Sequence, residues 1–163
     1  MAETAAQHAP EAEPSEPVRV RLVVFRAGGE RFGLPLDAVR EVVVPQPPFA
    51  RVPRAGSAVK GAMNLRGRVV AVVELAPLVG LAPDVLVPGQ GNVIVLDRDR
   101  RGLGILVAGV LGVESVEPPR AEPREASALA RGVVAVRGMA VTVLDPDALE
   151  ALAVALFEAR STP

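Results

Sequence analysis

The sequence predicts an all-β fold, two similar five-stranded units followed by a C-terminal helix, and three observations predict it. Apolar residues alternate with others over many short stretches, the period-two pattern of strands. Tight-turn residues separate those stretches, above all Gly28-Gly29, Arg66-Gly67 and Arg137-Gly138. The two halves are also related by one constant offset of 71 residues. It matches Gly33 with Gly104, Val39 with Val110, Val42 with Val113, Gly61 with Gly132, Arg66 with Arg137, Gly67 with Gly138 and Glu74 with Asp145. A gapless register across turns, strands and an acidic position marks an internal repeat. Each unit is too small for a secure core of its own, so the two should pack on each other.

Taken in order, residues 1–17 are rich in Ala, Glu and Pro and read as a disordered acidic tail. Order begins at Val18, where Val18, Val20, Leu22 and Val24 alternate with Arg19, Arg21, Val23 and Phe25. Gly28-Gly29 turns this strand back into Arg31–Leu34. Asp37 is placed to cap one helical turn over Ala38–Glu41, before Val42–Val44 extends again and Pro45, Pro47 and Pro48 enforce a loop. Val59–Leu65, the Arg66-Gly67 turn and Val69–Leu75 form an antiparallel hairpin. In the second half Asn92–Leu96 and Leu103–Val107 flank a charged turn, and a Pro- and charge-rich loop covers Glu117–Glu125. Gly132–Val136 and Met139–Leu144 make the closing hairpin. Asp145-Pro146 is a strong helix start, and Leu149, Leu152, Ala153 and Leu156 follow helical spacing. The repeat places one unit over about 18–88 and the other over about 89–163, with strands free to exchange between them.

Composition narrows the function. The 163 residues carry a net charge of −1, no Cys and one His, with half the residues apolar and a mean hydropathy of +0.33. Only 2% are aromatic, so the core must be built of Val, Leu, Ile and Ala. Without Cys there is no disulfide frame, no thiolate zinc site and no thiol nucleophile. The N-terminus lacks the positive start and apolar run of a secretory signal. The longest apolar run, Leu103–Val113, falls short of the ~20 residues that a membrane span needs. A cytoplasmic protein without direct membrane insertion is the expectation.

The segment Lys60-Gly61-Ala62-Met63-Asn64-Leu65-Arg66-Gly67-Arg68-Val69-Val70 resembles the signature of CheW-like domains, which runs Lys-Gly, two apolar residues, Asn-Leu-Arg-Gly and a β run. Phe32-Gly33-Leu34 and Val39-Arg40-Glu41-Val42 resemble the family's opening hairpin and the stretch after it, and Leu144-Asp145 with Leu149 resembles its ending. The likeness runs from residue 19 to 157. It implies two pseudo-symmetric five-stranded SH3-like barrels and a non-catalytic scaffold of a chemosensory signalling array. The implied partners are the cytoplasmic tip of a methyl-accepting chemoreceptor, the regulatory domain of a CheA-type histidine kinase, and other CheW-like domains. Such a protein is recruited to membrane-associated or cytoplasmic receptor arrays. Two positions depart from the family: Glu74-Leu75-Ala76 stands for its Asp-Leu-Arg, and Val107-Ala108-Gly109-Val110 for Val-Asp-x-Val.

Val39, Val42, Gly61 and Asn64 are the candidate partner contacts, Val39 because an isolated helical turn cannot bury every side. Glu41, Arg66 and Gly67 are candidate braces: the arginine fork matches a carboxylate, and Gly67 suits a φ > 0 turn. Arg66 is expected on the strand face opposite Met63 and Leu65. An enzyme, a cofactor and a metal are not expected. His8, the one His, sits in the tail, and no Gly-rich phosphate loop precedes a helix. Asp97 and Asp99 alternate with arginines and read as a solvated turn. Two other classes share the barrel. One is a stand-alone paralogue of a kinase regulatory domain. The other is a nucleic-acid binder working through arginines, which four Phe and no Tyr or Trp argue against, so no nucleic-acid partner is expected.

Overall fold

The structure, a computed structural model, describes residues 15–98, 102–120 and 128–158. Most of the expected tail, His8, Asp99 and the later part of the 117–125 loop lie outside the described residues. Among the described residues ten strands form: β1 (Val20–Ala27), β2 (Glu30–Pro35), β3 (Val39–Val43), β4 (Val59–Leu65), β5 (Arg68–Glu74), β6 (Asn92–Leu96), β7 (Leu103–Val107), β8 (Gly109–Val116), β9 (Ala130–Val136) and β10 (Met139–Leu144). Two helices accompany them, α1 (Leu75–Leu78) and α2 (Pro146–Glu158).

The strands make two five-stranded sheets, ordered β8-β1-β2-β10-β9 and β3-β6-β7-β5-β4. Each is an antiparallel assembly with one parallel joint, β2 on β10 and β5 on β7. Both curl back on themselves, because the chain beyond each edge strand pairs with the opposite edge. Arg120, beyond β8, bridges to Val133 on β9, and Ala50, beyond β3, bridges to Ala62 on β4. Each sheet therefore takes strands from both stretches, 18–88 and 89–163.

The core explains a departure from simple alternation. β1 buries Leu22, Val23, Val24 and Phe25 in succession, because both its faces are covered. Leu22 and Val24 turn into the first barrel with Val141 and Val143, while Val23, Phe25 and Ala27 turn outward to a central cluster. β6 behaves alike at the repeat distance, with Val93 and Val95 inside the second barrel and Ile94 and Leu96 in the central cluster. The central cluster joins the barrels, and α2 seals it with Leu149 and Ala153, both fully buried. Asp145 caps α2 through its Oδ1, which accepts the Asp147 N–H at 2.9 Å. Arg98, after β6, binds the first turn of α2 through Asp147 at 2.7 Å.

The first ordered turn differs from expectation. The helical residues are Leu36–Ala38, a 3₁₀ turn that follows Pro35, and Asp37 makes no capping bond. β3 starts already at Val39, because three of its five residues are valines and β6 offers a ladder: Val39 pairs with Leu96, Val42 with Ile94. The first strand also starts later than the alternation predicts, leaving Val18 exposed.

Candidate functional site

The Asn-Leu-Arg-Gly segment is a hairpin turn whose geometry accounts for each residue. Leu65 pairs with Arg68, so Arg66 and Gly67 are the two central residues. Both have φ > 0, at 51° and 82°, the left-handed pair that matches the twist of a two-residue hairpin. Arg66 therefore lies in the turn and on neither strand face, contrary to the expectation from alternation. Gly67 carries this conformation without Cβ strain, and its N–H donates to Asn64 Oδ1 at 2.8 Å. Arg66 reaches across to β3 and donates to both Glu41 oxygens, Nη1 to Oε1 at 3.1 Å and Nη2 to Oε2 at 2.8 Å. The guanidinium side chain is 74% exposed, so this fork holds the turn against β3 at the surface and leaves arginine N–H groups open to a partner.

Beside the pair lies a cleft of about 410 Å³ at the hairpin end of the second barrel, walled by Arg40, Arg66, Arg68 and Glu41 over Leu65 and Val95. Three arginines stand there against Glu41 and, on Arg40, Asp97 at 3.6 Å, so the rim keeps a net positive charge. Next to it the outward side of edge strand β3 presents Val42, 39% exposed, and the chain continues to Val44, 61% exposed. A positive rim beside exposed valines on an edge strand can bind a protein surface that offers carboxylates around an apolar spot.

The other expected contacts fall differently. Val39 is half-buried in β3, with part of its side chain packed on the central cluster. Gly61 is buried at a bulge where a Cβ would stand 2.4 Å from the Ala50 carbonyl oxygen, with φ at +137°. Asn64 is exposed, and the bond it accepts from Gly67 is a local one. Glu41, Asn64, Arg66 and Gly67 are thus brought together at one turn, Val42 follows Glu41 on β3, and Gly61 and Val39 lie away from the turn, one against Ala50 and the other on the central cluster.

Sequence reasoning missed a second polar constellation, at the opposite end of the same barrel. Glu74 is 2% exposed, with Lys60 Nζ 2.8 Å from its Oε2 as an ion pair whose angle falls short of a hydrogen bond. Its Oε1 accepts the Asp84 N–H at 2.9 Å, and both Asp84 oxygens accept the Gly28 N–H, at 3.0 and 3.1 Å. The connection between β5 and β6 is thereby tied to the β1–β2 turn. The signal was available: at the repeat distance Arg131 meets Asp145, as Lys60 meets Glu74. Among the described residues no cluster of three or more His, Cys, Asp or Glu could hold a metal, and no helix is long and apolar enough to cross a membrane.

Comparison with known proteins agrees with this architecture. The model of the CheW-like domain family matches residues 21–153. The chain is 30% identical over 135 residues to "Probable chemotaxis protein CheW" of Rhizobium etli, covering 78% of this chain and 85% of that one. It is 29% identical to "Chemotaxis protein CheW" of Rhizobium meliloti over the same length and coverage. Among solved structures, the scaffolding protein TtCheW of Thermoanaerobacter tengcongensis superposes with a TM-score of 0.67 at 21% identity, over 82% of this chain and 88% of that one.

Proposed function

The chain belongs to the CheW-like domain family, and from that premise we propose that it is a non-catalytic coupling adaptor of a chemosensory array. In this reading it joins the cytoplasmic tip of a chemoreceptor to the regulatory domain of a CheA-type histidine kinase. The observation that carries the reading is the exposed Glu41–Arg66 fork on its hairpin turn, set beside the uncovered Val42 of edge strand β3. A catalyst buries and desolvates its reacting groups, whereas these groups stand at the surface with a shared apolar border, as an interface requires. Val42 is the residue of choice for attachment, because it is 39% exposed and belongs to neither the central cluster nor the interior of the second barrel.

The experiment is reconstitution of receptor, kinase and adaptor, with receptor-stimulated kinase autophosphorylation as the readout. Val42→Asp is expected to lower the stimulation at least tenfold while the melting temperature stays within about 3 °C of the parent, since exposed substitutions cost within about 0.5 kcal/mol. Full stimulation by Val42→Asp, or stimulation that does not depend on the adaptor at all, would refute the proposal.

A further inference from the structure

The repeat relates the ends of the two barrels as well as their strands, and among the described residues one end is plugged while its sister stands open. In the second barrel the chain that leads into β6 closes the end beside Lys60. Leu86 packs against the interior cluster there, Asp84 is held by Glu74 and Gly28, and a cleft of only about 210 Å³ remains. The first barrel has the same end in the same register. Arg19, Pro35 and Arg131 line it where Gln90, Leu106 and Lys60 line the other, each 71 residues away. Here the cleft measures about 580 Å³, with Leu22 and Val143 of the first barrel's interior at its wall.

The described chain leading into β1 offers no plug. The residue at the register of Leu86 is Ser15, which is short, polar and exposed, and residues 16–18 after it are exposed as well. The matching ion pairs record the difference. Glu74, under its plug, is 2% exposed and meets Lys60 at 2.8 Å, whereas the Asp145 side chain is 33% exposed and meets Arg131 at 3.5 Å.

We infer that this open cleft is a docking site for an extended segment of a partner protein, one carrying a carboxylate and, two residues later, a branched aliphatic side chain. The chemistry of the occupant is read from the plug that fills the sister cleft, Asp84-Val85-Leu86. The aliphatic group takes the place of Leu86, against Leu22 and Val143. The carboxylate answers the charge of the wall, where Arg19 and Arg21 face Asp37 while Arg131 is already paired with Asp145. Arg19 is at present turned to Ser115, its Nε donating to Oγ at 3.1 Å and its Nη2 to the backbone oxygen at 2.5 Å, exposed bonds that a carboxylate would have to replace. The cleft shares no lining residue with the one beside Arg66, so the two sites can be occupied together.

The probe is a fluorescently labelled nonapeptide with the sequence of residues 82–90, titrated into the full-length protein and followed by anisotropy and by backbone amide shifts. Saturable binding is expected, with shifts around Leu22 and Val143. Affinity should fall at least tenfold for the peptide carrying Leu86→Ser, and at least tenfold for the parent peptide on the doubly exchanged protein Arg19→Glu/Arg21→Glu. Both arginines are exposed, and an unchanged melt for that variant shows that the fold is kept. Absence of saturable binding, equal affinity for the two peptides, or shifts confined to Lys60 and Leu106 would each overturn the assignment. Binding that appears only after residues 1–14 are removed would overturn it too, by making this chain's own N-terminal segment the occupant.

Discussion

Lys60 and Arg131 stand at one register of the repeat, as do the acids they meet, so the protein contains an internal control on what burial does to an ion pair. Consider Lys60→Ala. Glu74 then keeps one backbone N–H on Oε1, while Oε2 is left without a cation. Breaking a fully buried pair from one side costs about 3–5 kcal/mol, but the Lys60 side chain is 36% exposed and water can enter where it stood. We therefore expect a loss of about 2–3 kcal/mol, which for a protein of this size lowers the melting temperature by roughly 5–10 °C. Arg131→Ala should cost at most about 1 kcal/mol, because its pair is solvated and Asp145 retains its helix-capping bond. Adding Glu74→Gln to Lys60→Ala should recover part of the loss, since the amide oxygen still accepts the Asp84 N–H and no charge is left unpaired. Calorimetric melts of the four proteins decide the matter. Equal losses for Lys60→Ala and Arg131→Ala, or a further loss on adding Glu74→Gln, would refute the reasoning.

Gly61→Ala sets a Cβ 2.4 Å from the Ala50 carbonyl oxygen at a φ of +137°, so a loss of about 2–3 kcal/mol is expected, read from the denaturant midpoint. Arg66→Ala removes a pair whose guanidinium is 74% exposed, so it should cost less than about 1 kcal/mol and leave the melt nearly unmoved, while a receptor and kinase pull-down weakens severalfold.

The fold class was legible because its determinants are local and repeated. Two-residue turns need left-handed residues, and Arg66-Gly67 and Arg137-Gly138 announce them in both halves. Each closes a hairpin at the expected place. Strand faces were harder to read. Val18 and Val20 continue the alternation of β1 on paper, yet burial begins at Leu22 and then takes every residue through Phe25, because a strand between two cores no longer alternates. The helical turn was displaced for a related reason. Asp37 is a good cap in isolation, but the ladder that β6 offers to Val39 outweighs one capping bond and draws Val39 into a strand. At the site, the motif residues could be named from the sequence and their division of labour could not. Nothing in Gly61 or Asn64 announces the Ala50 oxygen beside one or the Gly67 N–H on the other, because both depend on the folded backbone. The Asp84 bonds to Gly28 span 56 residues across two barrels, beyond the reach of any local pattern.

Where the two repeats agree and where they diverge also separates support from function. Interior positions agree across the offset of 71: Val24 and Val95, Val143 and Val72, and Gly132 and Gly61, each glycine in a bulge against a carbonyl. These positions answer to packing, which is the same problem in both barrels. The surfaces do not agree. The turn of the second barrel fixes its arginine on Glu41 of β3, whereas the matching Arg137 reaches Glu114, two residues beyond the register of Glu41. Among the described residues one barrel end is plugged by Leu86 and the other is open. Strand exchange makes this divergence tolerable, because each barrel draws strands from both repeats and the central cluster binds them together. Rims can then change without loosening a core that is anchored elsewhere. An adaptor built this way can present different surfaces to different partners on one shared core, with the partner-specific chemistry confined to the places where the repeat fails.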